Sequence, residues 1–122
     1  MSEKWYALEH DLLTSKYTKV WHDEPEFNAP HIFVVTETES KGENELTTVT
    51  FQKGPIKEHG VNGVCNEDLI AMVIKRLESF QQSEYACREN ALAVTKLEEA
   101  LLWLRKRTMG RENRNVEGTS DK

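Results

Sequence analysis

Residues 66–107 read NEDLIAMVIKRLESFQQSEYACRENALAVTKLEEALLWLRKR, and the spacing of apolar side chains in this stretch decides the fold. Leu69, Val73 and Leu77, with Ile70, Ile74 and Phe80, recur at three- and four-residue intervals, the period of one helix face. Asn66 is placed to cap free backbone N–H groups, and Glu67 and Asp68 favour the positive end of the helix dipole. A first helix is therefore expected from Asn66 to about Phe80. The polar break Gln81, Gln82, Ser83 ends it, and a second helix is expected from about Glu84 to Arg107. So short a connection joins antiparallel neighbours, so the stretch should form a helical hairpin.

In the second helix Cys87, Asn90, Val94, Leu97, Leu101 and Leu104 fall on one seam, with Leu92 and Trp103 widening its apolar face. Asn90 is the polar member. It reads either as a buried asparagine that fixes register or subunit pairing, or as a polar contact for a ligand held between helices. Past Leu104 the composition changes: Arg105, Lys106, Arg107, Arg111 and Arg114 stand against Glu112 alone. That local charge of +4 leaves −9 for the rest of a chain whose net charge is −5. Cations suit a helix C-terminus, and four arginines so close together also suit bidentate recognition of phosphate.

Upstream, HIFVVTET (31–38) is β-branched and aromatic, and ELTTVTFQK (45–53) alternates Leu46, Thr48, Thr50 against Thr47, Val49, Phe51. Ser40, Lys41, Gly42, Glu43 and Asn44 supply turn chemistry between them, so a β-hairpin is expected. Gly54 and Pro55 end its second strand, and Gly60 and Gly63 mark a connecting loop. Residues 1–30 hold neither period for long; a short helix followed by an extended arm is one reading, with a turn or linker at Asp23–Glu26. The expected class is α+β: an N-terminal antiparallel β-hairpin or small sheet followed by a C-terminal antiparallel helical hairpin. One domain is expected, with a β-containing part at 1–53, the loop, hairpin and basic tail at 54–119, and a disordered end at 120–122.

With 122 residues and 38% hydrophobic composition the core is thin, so subunit contacts are expected to supply part of it. The net negative charge argues against coating DNA or RNA. Apolar runs such as Leu69–Ile74 are too short for a membrane span and no apolar segment follows Met1, so a cytosolic protein is expected. Cys65 and Cys87 read as reduced, partly buried thiols. Walker loop, GxGxxG, GxSxG and HExxH patterns do not occur, and His10, His22, His31 and His59 lack metal-ligand spacing. Glu98 and Glu99 are adjacent on a helix and point to different sides, which suits ion pairs with Lys96 or Lys106 better than hydrolysis. No catalytic residues, no metal and no cofactor are expected.

GVNGVCNEDLIAMVIKRLESF (60–80), ACRENALAVTKLEEALLWLRKRT (86–108) and the tail RENRNVEGT (111–119), with GPIKE at 54–58, resemble the phage Thoeris anti-defence sponge family of the first-described type. The similarity covers about residues 54–119. It implies a protein that catalyses nothing: members bind cyclic ADP-ribose isomers made by bacterial TIR-domain sensors and keep them from the effector. Some also bind cyclic di- or trinucleotides of the CBASS pathway at a separate site, and they assemble as dimers or as hexamers built from dimers. Carried over by position, Phe80 is the aromatic that stacks on the purine and Asn90 its polar companion. Arg107 binds phosphate, with Thr108 beside it and Arg111 as a second cation. Members usually carry Gly before Val-Glu-Gly-Thr; Asn115 stands there in this chain, and asparagine tolerates the left-handed conformation.

Asn90 and Arg107 are 17 residues apart, about 25 Å along a continuous helix, so one chain cannot bring both to one small ligand. An antiparallel dimer, with the arginine end of one second helix against the Phe80 and Asn90 end of the other, would. The competing reading is an inhibitor that docks the basic end of the hairpin on a host protein. The sequence leaves open which cyclic isomer is preferred, whether a cyclic-oligonucleotide site exists, whether dimers assemble further, and what residues 1–30 do.

Overall fold

The structure, a computed structural model, describes residues 4–40 and 44–121. It resolves into two compact units, Met1–Val64 and Cys65–Lys122. The class is the α+β arrangement expected: an antiparallel sheet comes first and a helical pair follows.

Four strands, β1 (Tyr6–Ala7), β2 (Thr18–His22), β3 (Ile32–Glu37) and β4 (Glu45–Thr50), form a meander in sequence order, every neighbour antiparallel. β3 is central because its β-branched run can be covered on both faces. Val34 and Thr36 are buried, and the Thr36 hydroxyl accepts the Trp21 indole N–H at 3.2 Å, which satisfies both groups. On the other face Tyr6, His22, Phe33 and Phe51 form an aromatic row with centroid spacings of 5.7, 6.0 and 5.5 Å. The alternation expected in β4 is broken once. Val35 pairs with Thr47 and Thr36 with Glu45, so Leu46 is bulged out and half exposed.

The N-terminal segment corrects the sequence reading. Residues 1–30 contribute β1 and β2 rather than a short helix and an extended arm. Pairing against β3 decides this, since Val20 sits opposite Val35 and Trp21 opposite Val34, a long-range choice that no local period announces. The Asp23–Glu26 stretch is an irregular connection, and the tight turn comes just after it, at Phe27 and Asn28 between the paired Glu26 and Ala29. Asp23 Oδ1 accepts the N–H groups of His31 (3.1 Å) and Ile32 (3.2 Å), and the buried His31 ring donates from Nε2 to the Glu26 carbonyl at 2.6 Å. The Lys41, Gly42 and Glu43 part of the turn expected between β3 and β4, and Lys122 of the disordered end, lie outside the described residues.

Residues 51–64 stay with the sheet. Val64 pairs in parallel with Phe51, and the Asn62 side chain bridges both backbone groups of Lys53 at 2.8 and 2.9 Å. A Cβ on Gly63 would strike the Phe51 backbone, so only glycine permits this pairing. The loop also holds a four-residue helix, α1 (Ile56–His59), where only a connection was expected.

In the second unit α2 (Asn66–Gln81) matches its expected span, but Cys65 rather than Asn66 is the cap. Asp68 closes it by accepting the Cys65 N–H at 2.9 Å. Ile74 is the buried residue of this helix, whereas Val73, read as part of the inner face, is 46% exposed. The second helix, α3 (Arg88–Asn113), begins four residues later than expected and ends six later. It begins late because Ser83 to Ala86 form a turn, and Cys87 is extended and caps the helix instead of joining its seam. It ends late because a continuous i→i−4 ladder carries the basic segment onward, and an Arg105–Glu112 ion pair at 3.3 Å spans two turns of it. The finish is a Schellman turn: Asn115 adopts φ 60°, its N–H reaches the Glu112 carbonyl and the Val116 N–H reaches that of Arg111. Asparagine thus takes the left-handed position.

Candidate functional site

Phe80 is the penultimate residue of α2 and Asn90 lies in the first turn of α3, so the hairpin turn brings both to one end of the unit. That turn is clamped by Gln81. Its side chain donates to the Cys87 carbonyl and accepts the Cys87 N–H, both at 2.9 Å, which fixes the cap of α3 to the last turn of α2. Ser83 adds a second tie through its hydroxyl to the Phe80 carbonyl at 2.6 Å. Phe80 is half-buried, and the Arg76 guanidinium lies over its ring, 5.1 Å from the centroid. Asn90 is half-buried and makes no side-chain hydrogen bond among the described residues. An open groove of about 390 Å³ runs between Lys75, Glu78, Ser79 and Gln81 of α2, Gln82 of the turn, and Ala91 and Val94 of α3; neither Phe80 nor Asn90 lines it.

The other three expected site residues are at the far end of α3, which is continuous across the whole interval; Asn90 and Arg107 are therefore about 25 Å apart and do not meet within the chain. Arg107 is exposed and forms no ion pair among the described residues. Thr108 is half-buried, its hydroxyl bonded to the Leu104 carbonyl at 3.2 Å. Arg111 is partly engaged: Nη2 donates to the carbonyls of Val116 and Thr119, both at 2.9 Å, folding the tail back on the helix end. Only its other guanidinium edge remains for an anion.

Leu92 and Trp103 depart from expectation. They are 44% and 64% exposed, with Leu102 at 70%, so the apolar face that packs inward is narrower than the one read from sequence. The half-buried positions run from Asn90 through Ala93, Val94, Leu97, Ala100, Leu101 and Leu104 to Thr108 and Arg111. Lys106 lies over the Trp103 ring at 5.0 Å, and Glu99 pairs with Lys96 at 3.6 Å as expected of it. Both cysteines are free and exposed rather than partly buried. Desolvation, then the Asp68 and Glu67 carboxylates, push the Cys65 thiol up, opposite to an activated nucleophile. Among the described residues no cluster of three His, Cys, Asp or Glu side chains could hold a metal ion, and no helix is long and apolar enough to cross a membrane.

Arg76 and Gln81 were not singled out from the sequence. The signal for Arg76 was present, an Arg four residues before an aromatic on the same helix face. Gln81 reads only as part of a polar break until its partner Cys87 is known.

Comparison with known proteins bears on this hairpin directly. Residues 43–109 match the family described as Acb2/Tad1, hairpin domain. The chain is also similar to a Bacillus phage SBSphiJ7 protein named Thoeris anti-defense 1, 53% identical over 139 aligned positions that cover 94% of this chain and 98% of that protein.

Proposed function

Because the chain belongs to the Acb2/Tad1 hairpin-domain family, we propose that it is a phage anti-defence protein that binds and sequesters TIR-produced cyclic ADP-ribose signals without degrading them, and so blocks Thoeris immunity. It acts in the cytoplasm of the infected host. Phe80 stacks on the purine, Asn90 contacts its polar edge, and Arg107, Thr108 and the open edge of Arg111 hold the phosphates. The observation that carries this reading is the division of these residues between the turn end of the hairpin, with Phe80 and Asn90, and the far end of α3, with Arg107, Thr108 and Arg111. Each end offers half of a nucleotide site, and an antiparallel second copy supplies the other half. The working unit is then a homodimer, with a hexamer of three dimers as the larger assembly, and cyclic di- or trinucleotides are the second ligand class to test.

The test is calorimetric titration with a purified cyclic ADP-ribose isomer, followed by heat release and chromatography of the ligand. Saturable binding at a defined ratio per dimer, with intact ligand recovered, is expected. Phe80→Ala should weaken binding roughly tenfold, given the worth of base–aromatic stacking, and lower the melting temperature only modestly because the ring is half-buried, so that the variant is still folded when titrated. Altered ligand on release would make the protein an enzyme. Absence of binding to any isomer or cyclic oligonucleotide would shift the reading to a protein target, for which the exposed Leu102 and Trp103 beside the basic end would be the contact.

A further inference from the structure

Arg76 is exposed and forms no ion pair among the described residues, and its guanidinium carbon lies over one face of the Phe80 ring, 5.1 Å from the centroid. A ring has two faces, and with one occupied by a cation, a base can stack only on the other. A guanidinium has five N–H donors, and a ring face occupies few of them, so most stay available beside the ring. An uncharged purine on the open face would gain nothing from those donors. A purine carrying phosphate would bring its anionic oxygens to the edge of the same stack, within the field of a cation that has no other counter-charge.

We propose that Arg76 is a specificity-determining residue that makes the Phe80 platform select a purine bearing phosphate over an uncharged purine. This rests on the reading of Phe80 as the base-stacking residue. The role differs from that of Arg107, which lies at the opposite end of the hairpin and would reach the ligand only from a second copy. Arg76 acts from the same chain and the same helix as the aromatic it covers, so it is present in each half-site before any assembly. A contact between an exposed guanidinium and a half-buried phenyl ring four residues apart contributes little to helix stability, so replacing Arg76 should leave the fold intact and the binding readout clean.

The experiment compares wild type, Arg76→Gln, Arg76→Lys and Phe80→Ala, each titrated with a purified cyclic ADP-ribose isomer by calorimetry and with adenosine by NMR shift changes, at two salt concentrations. Arg76→Gln should weaken the charged ligand roughly tenfold and flatten its salt dependence, while the adenosine affinity changes by less than about twofold. Arg76→Lys should recover part of the loss. A parallel loss for both ligands would make Arg76 merely structural and overturn the proposal, as would no change for either. If Phe80→Ala binds as wild type does, the platform is misplaced and Arg76 selects nothing there. If folded wild type binds neither ligand, the sequestration reading itself fails, an outcome distinct from one in which only the Arg76 variants are silent.

Discussion

At the start of α3 Asn90 is half-buried and makes no side-chain hydrogen bond among the described residues; at its end Arg111 already gives Nη2 to two tail carbonyls, Arg105 pairs with Glu112, and Arg114 bonds the Gly110 carbonyl at 3.4 Å. The first end carries charges of both signs and leaves Asn90 uncommitted. The second is rich in charge and largely committed to finishing the helix and folding back the tail. A run of five cations thus overstates the positive charge available to a ligand, because a helix terminus consumes cations in satisfying its own carbonyls. Arg107 is the arginine of the cluster that the structure leaves most available.

The largest effect expected from this contrast is on ligand affinity. Arg107→Ala should weaken binding of a cyclic ADP-ribose isomer roughly thirtyfold with no loss of stability, since a charge-assisted phosphate contact is removed and no intrachain partner is left behind. Calorimetric titration and a thermal melt on the same sample read both. An unchanged affinity would return the basic end to a purely structural role.

Arg111→Ala should behave differently, costing about 1.5 kcal/mol of tail closure through its two carbonyl contacts. Hydrogen exchange at the Val116–Thr119 amides would report the opening while the core of α3 stays protected. Equal deprotection along the whole helix would show the tail to be part of one cooperative unit, and the division between the two ends would lose its meaning.

How much of this was legible beforehand differs by element. The helical hairpin was, because Leu69, Ile70, Ile74 and Leu77 repeat at the period of their own helix. β2 was not: Val20 and Trp21 sit among charges and become a strand only opposite Val35 and Val34. The start of α3 was hidden because Glu84, Tyr85 and Ala86 are acceptable helix residues, and the clamp from Gln81 to Cys87 that sets the boundary is a side-chain contact. Its end was hidden because Arg105–Arg107 look like a C-terminus. Among the site residues, the reach between Asn90 and Arg107 followed from helix rise alone. The tail contacts of Arg111 did not, since their acceptors are backbone carbonyls five and eight residues on.

Asn115→Ala should cost about 1 kcal/mol, because alanine loses the side chain that tolerates φ 60°, while Asn115→Gly should be neutral or slightly stabilising. Melting curves of the pair separate the two. If alanine costs nothing, the Schellman turn is not what terminates α3, and the tail is held by Arg111 alone.

The smallest effect expected is at the Arg105–Glu112 pair, and its value is as a control on direction. At 100° per residue Arg107 and Arg111 lie about 40° apart on the helix, whereas Arg105 lies about 200° from Arg107. Arg105 therefore points to the other side, and its exclusion from the ligand follows from position as well as from pairing. Glu112→Gln breaks an exposed ion pair and should cost no more than about 0.5 kcal/mol. It should also leave ligand affinity within about twofold of wild type, although it raises the positive charge of this end by one unit. A clear gain in affinity would mean that net charge, and not the Arg107 and Arg111 face, governs binding here. The basic end would then act as a diffuse field, and the separate tests of Arg107 and Arg111 would have to give similar losses.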